Sequence, residues 1–192
     1  YQGPMAADEL TRTHAVWVML ETGQLPSNLA VLRTGRTLAE SFELPLYAHI
    51  ASPRASWPYL LGTAQANGVD QSFCVDTNDM VLSGRGKHKV VRSIVKQAGA
   101  TLVVAGMSWH EALAASAGDL LSSADRDIPV VSGIVNIVQT GDGEVVLHTP
   151  AYEGRLTRQT SIAGEAAFLS VAEAVEPTTV STRPNFGVAV LE

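Results

Sequence analysis

Two short stretches carry residue types that could hold an anion. Gly106-Met107-Ser108 follows the apolar run Thr101-Leu102-Val103-Val104-Ala105 and precedes a helical pattern opening near Trp109. In open α/β sheets ligands bind outside the carboxyl ends of the strands, where helix N-termini offer free N–H groups to anions. Ser108 is placed there to contact a phosphate, or else to cap its own helix in a capping box with Glu111 three residues on. The second stretch, Tyr152-Glu153-Gly154-Arg155-Leu156-Thr157-Arg158, is a polar turn with two arginines. Exposed arginine beside tyrosine suits interfaces and anion contacts; a solvated hairpin tip has the same composition. Gly106, Ser108, Tyr152 and Arg155 are therefore the candidates for an anion, cofactor or interface contact.

The other reactive residue types do not assemble into a motif. The five histidines, His14, His49, His88, His110 and His148, share no metal-ligand spacing, and Cys74 has no second cysteine. Cys74 falls in an apolar run, where a buried, inert thiol is the expectation. Trp109-His110-Glu111 offers a general base without an identifiable group to orient it. The turn after the first strand, Glu21-Thr22-Gly23-Gln24-Leu25-Pro26, lacks the glycine fingerprint that lets a backbone approach a pyrophosphate. A phosphate-loop lysine motif and a nucleophile elbow are also missing, and Gly84-Arg85-Gly86 reads as loop punctuation. No residue is assigned as catalytic or metal-binding.

The elements that would position these groups alternate. Residues 14–20 are an apolar, β-branched run expected of a buried strand, and 44–51, 69–75 and 101–105 read as further strands. Between them lie helical patterns at 29–42, 57–66 and 87–98, the last stopping at Gly99. Strand–helix alternation implies a doubly wound α/β fold, a mostly parallel sheet with helices on both faces. After about residue 128 the rhythm changes. Residues 129–138 and 144–149, joined by Gly141-Asp142-Gly143, read as an antiparallel pair, and 156–161 with 166–171 as another. Residues 177–192 carry no core pattern and read as an arm or the start of a linker, and Tyr1-Gln2-Gly3-Pro4 reads as a protease-site scar before Met5.

Composition sets outer bounds. The chain has 192 residues, 46% hydrophobic and 17% charged, which fits one well-cored domain and excludes disorder, collagen and coiled coil. A net charge of −6 without any dense run of Lys or Arg argues against a sequence-independent grip on nucleic acid. The apolar runs fall far short of the ~20 residues needed to span a bilayer. A single cysteine points to a reducing compartment, cytoplasm or mitochondrial matrix.

The order of elements resembles the N-terminal domain of the electron transfer flavoprotein alpha subunit over residues 5–180. The resemblance rests on His14-Ala-Val-Trp-Val through Leu25-Pro26-Ser27 and Arg36-Thr-Leu-Ala39, on Leu102-Val-Val-Ala-Gly106, on Ile128-Pro-Val-Val-Ser-Gly-Ile134, and on His148-Thr-Pro-Ala-Tyr-Glu-Gly154. It implies a domain at 5–176 that pairs with a beta-type subunit and shields FAD, with the FAD-binding C-terminal domain absent from this chain and AMP in the partner subunit. Redox partners would be a dehydrogenase or a quinone oxidoreductase, and the isolated domain could form a homodimer. The chain departs from the family pattern where arginines are usual, carrying His110-Glu111, His148 and Val171-Ala172. An alternative is a small adenine-nucleotide-binding module of the stress-protein type, using Gly106 to Ser108 and the end of the first strand.

Overall fold

The computed structural model describes residues 14–121, 128–140, 144–173 and 187–190. The four leading apolar runs form β1 (Val16–Glu21), β2 (Leu46–Ser52), β3 (Gln71–Asp76) and β4 (Leu102–Gly106), each shifted one or two residues toward the C-terminus of its sequence pattern. Helices α1 (Leu25–Ser41), α2 (Trp57–Ala66), α3 (Gly84–Ala98) and α4 (His110–Leu121) alternate with and follow them. Pro26 and Pro58 sit in the first turns of α1 and α2, where a missing N–H costs no intrahelical bond. Gly99 ends α3 in the left-handed conformation at φ 62°, as expected of a helix-stop glycine.

Five strands follow in two sheets: β5 (Val130–Ile134), β6 (Asn136–Gln139), β7 (Val145–Ala151), β8 (Leu156–Ile162) and β9 (Ala167–Val171), and then β10 (Gly187–Val190). The main sheet has seven strands in the order β10-β3-β2-β1-β4-β9-β5, and every pairing in it is parallel. A separate antiparallel sheet has the order β6-β7-β8. This is a Rossmann-like, doubly wound α/β fold with a small antiparallel sheet.

Four sequence expectations are corrected. Gly84-Arg85-Gly86 is the first turn of α3, not a loop, because Ser83 caps it by accepting the Gly86 N–H at 3.1 Å. The single strand expected at 129–138 divides between the two sheets, with Gly133 at φ 73° in an irregular stretch of β5. The strand expected to pair with 156–161 instead enters the main sheet as β9, between β4 and β5. Its residues, Ala-Phe-Leu-Ser-Val, are buried on both faces, whereas β8 is exposed along most of its length; only the former suits a central parallel strand. Within the expected C-terminal arm, residues 187–190 form an edge strand beside β3. The scar at 1–4, the turn at 141–143 and most of the arm lie outside the described residues.

The core has two faces. Val16, Val18 and Leu20 of β1 pack with Leu32 and Leu38 of α1, Leu60 of α2, and Leu147 and Ile162 of the small sheet. Trp17 and Met19 point the other way, onto Phe73 of β3, Val91 and Ile94 of α3, Trp109 just before α4 and Leu113 within it. Strand alternation therefore delivers the next odd residue, Glu21, to the α3–α4 face at the carboxyl end of β1.

Candidate functional site

Strand order reverses at β1, which has β2 on one side and β4 on the other. The crevice outside the carboxyl ends of β1 and β4 is thus the topological switch point, the place where ligands bind in open α/β sheets. In this protein the crevice is largely occupied by the chain's own groups. The Ser108 hydroxyl donates to Glu21 Oε1 at 2.9 Å, and Lys87 Nζ of α3 faces Glu21 Oε2 at 3.4 Å. Lys87 is 11% and Glu21 16% exposed at the side chain, so the pair is mostly out of water. The ammonium also approaches the Ser108 carbonyl at 3.5 Å and lies 5.3 Å from the centre of the Trp109 ring, a cation–π contact.

Backbone ties hold the carboxylate in place. Asn28 of α1 donates from Nδ2 to the Glu21 carbonyl at 2.7 Å and accepts the Glu21 N–H at 3.2 Å. Gly106 is required by close approach: a Cβ there would run into Ser27 Oγ. Gly106 and Ser108 are accordingly at the switch point, as their position after the fourth strand implies. Ser108 lies inside a short 3₁₀ turn, Met107–Trp109, and its hydroxyl goes to Glu21, so the capping box with Glu111 is not how its hydroxyl is used. A phosphate at this point would meet the Glu21 carboxylate.

Tyr152 and Arg155 lie elsewhere, at the turn from β7 to β8 in the small sheet. Tyr152, Glu153 and Gly154 all have positive φ, and Arg155 closes the turn by donating its N–H to the Tyr152 carbonyl at 3.1 Å. Tyr152 is 77% and Leu156 57% exposed. With Arg155 and Arg158 they form an exposed patch of apolar and cationic groups on β8 and its turn. No hydrogen bond or ion pair among the described residues joins this patch to Gly106 and Ser108.

The remaining reactive types are dispersed. His49, buried on β2 with no partner for Nδ1, has its pKa lowered to about 4 by loss of hydration. Burial pushes the Cys74 thiol up to about 11, the inert state its apolar strand implies. His88 pairs with Asp119 across α3 and α4 at 3.0 Å, and His110 Nδ1 is buried without a partner. Among the described residues no cluster of three or more His, Cys, Asp or Glu is arranged to hold a metal. No helix among them is long and apolar enough to cross a membrane.

A half-open cleft with a cavity volume of ≈ 110 Å³ lies on the β2–β3 side of the switch point. Glu21 ends β1 and Thr22 follows it, Ala51 and Pro53 bound the cleft at β2, and Thr77, Asp79, Met80, Val81 and Leu82 line it from the loop after β3. Sequence reasoning missed Glu21, Lys87, Thr77 and Asp79. The only local signal was that Glu21 and Thr77 each stand at a strand's carboxyl end; the Lys87–Glu21 and Ser108–Glu21 contacts span 66 and 87 positions, and no spacing rule reaches that far.

Against models of known protein families and against characterised proteins, the sequence gives no match.

Proposed function

We propose that this chain is an electron transfer flavoprotein alpha-subunit-like domain that scaffolds a beta-type subunit and shields one side of an FAD held by other parts of the complex. One observation carries the reading. The doubly wound parallel sheet is supplemented by a separate antiparallel sheet, and the outer strand of that sheet with the turn before it presents Tyr152, Arg155, Leu156 and Arg158 to solvent. Aromatic and arginine side chains around an apolar centre are the composition of protein interfaces. Passing electrons through a flavin asks no acid, base or nucleophile of such a scaffold, and its redox partners would be a dehydrogenase or a quinone oxidoreductase.

The adenine-nucleotide module is the weaker reading. Its phosphates would sit at Gly106 to Ser108, where Glu21 already takes the Ser108 hydroxyl and adds negative charge. Co-expression with an electron transfer flavoprotein beta subunit tests the proposal. A stable one-to-one complex is expected, weakened at least tenfold by R155E together with R158E. Failure to form a complex, or micromolar binding of AMP or ATP to this chain alone, would overturn it.

A further inference from the structure

We infer that the cleft beside the switch point binds a small organic cation, a primary ammonium group on a short apolar body. The cleft has a cavity volume of ≈ 110 Å³, below the range of drug-sized sites, and so admits only a ligand of a few heavy atoms. Its walls at Ala51, Pro53, Met80 and Leu82 are apolar and would hold an alkyl or aryl body.

The polar lining sets the sign of the ligand. Glu21 and Asp79 are carboxylates, and Lys, Arg and His are absent from the lining. Glu21 is neutralised from behind by Lys87 and bonded by Ser108. Asp79 makes no ion pair among the described residues, so it leaves the cleft with one uncompensated negative charge. The sign of that charge attracts ammonium and repels phosphate or carboxylate.

Thr77 supplies the independent sign of a ligand. It is 8% exposed, lines the cleft, and its Oγ1 is buried with no hydrogen-bond partner. Buried hydroxyls in folded proteins nearly always have a partner, because an unsatisfied one is costly. An ammonium group carries three donors and no acceptor, which matches a hydroxyl and carboxylates among the residues that line the cleft.

Methyl-labelled methionine spectra of the intact chain provide the test, because Met80 lines the cleft and Met19 is buried elsewhere. Titration with n-butylammonium should move the Met80 methyl signal, leave Met19 still, and saturate at millimolar concentration or below. Matched n-butanol should bind at least fivefold more weakly and butyrate not measurably. D79N and T77V, checked for native thermal unfolding, should each weaken the amine at least threefold. E165Q, which removes an exposed carboxylate just before the amino end of β9, should leave binding unchanged and so separate a local effect from net charge. Equal binding of butanol and the amine, tighter binding of butyrate, no response of Met80, or an undiminished affinity in both cleft variants would each overturn the inference. So would saturation of the Met80 shift by adenosine in place of the amine.

Discussion

Replacing Lys87 with methionine keeps an apolar chain over Trp109 and removes the ammonium that faces Glu21. At 3.4 Å the attraction of two unit charges is about 5 kcal/mol at an effective dielectric constant of 20 and about 1 kcal/mol in bulk water. The groups are 11% and 16% exposed, so the pair lies between those limits, and the desolvation each charge suffered on folding offsets part of the attraction. Lys87→Met should therefore cost about 2 kcal/mol, because the carboxylate stays mostly buried without its counterion. Glu21→Gln should cost about 1 kcal/mol, since an amide oxygen can still accept from Ser108. The double variant should be less destabilised than the sum of the singles by about 1–2 kcal/mol, the coupling of the pair. Urea unfolding followed by circular dichroism measures all four stabilities. Additivity within about 0.5 kcal/mol would mean that the two side chains do not interact and would refute the pairing at the switch point.

The buried imidazole of His49 predicts a pH dependence. Its folded pKa of about 4 lies below the ordinary 6.5, so between those values the unfolded state binds more protons and stability falls as pH falls. The loss should approach about 3 kcal/mol by pH 4, and in His49→Leu that share of the slope should vanish in denaturation curves taken at successive pH values. Gly35→Ala, normally favourable in a helix, should cost about 1–3 kcal/mol here, because the new methyl would collide with Val18 and Leu46; a gain in melting temperature would refute the close packing of α1 on β1 and β2. Arg36 is buried on α1, pairs with Glu40 and donates to the Gly68 carbonyl after α2. Arg36→Leu should cost about 2 kcal/mol in the same unfolding assay and release the α1–α2 connection to faster amide exchange at the end of α2.

Most of the parallel half was legible from local pattern. Predominantly apolar runs of five to eight residues marked β1 to β4, and glycine at position 99 marked the stop of α3, because burial and backbone sterics act over a few residues. The C-terminal third was harder to read. Residues 129–138 are one continuous run in sequence yet serve two sheets, and Ala167–Val171 looked like a hairpin partner of its sequence neighbour. The distinction lay in burial: β9 is buried throughout and β8 is largely exposed and polar. Gly187–Val190 is too short to carry a period, and it becomes a strand only because β3 offers an open edge.

The candidate site divides in the same way. The sequence alone put Gly106 and Ser108 at the carboxyl end of a buried strand and Tyr152 and Arg155 on a turn, since each placement depends on neighbours a few residues away. Only the tertiary structure chose Glu21 as the acceptor of the Ser108 hydroxyl, set Lys87 behind it, and walled a cleft with the loop after β3. Those contacts join residues that the chain separates by tens of positions, and their energy depends on burial and distance in space, which a linear pattern does not encode.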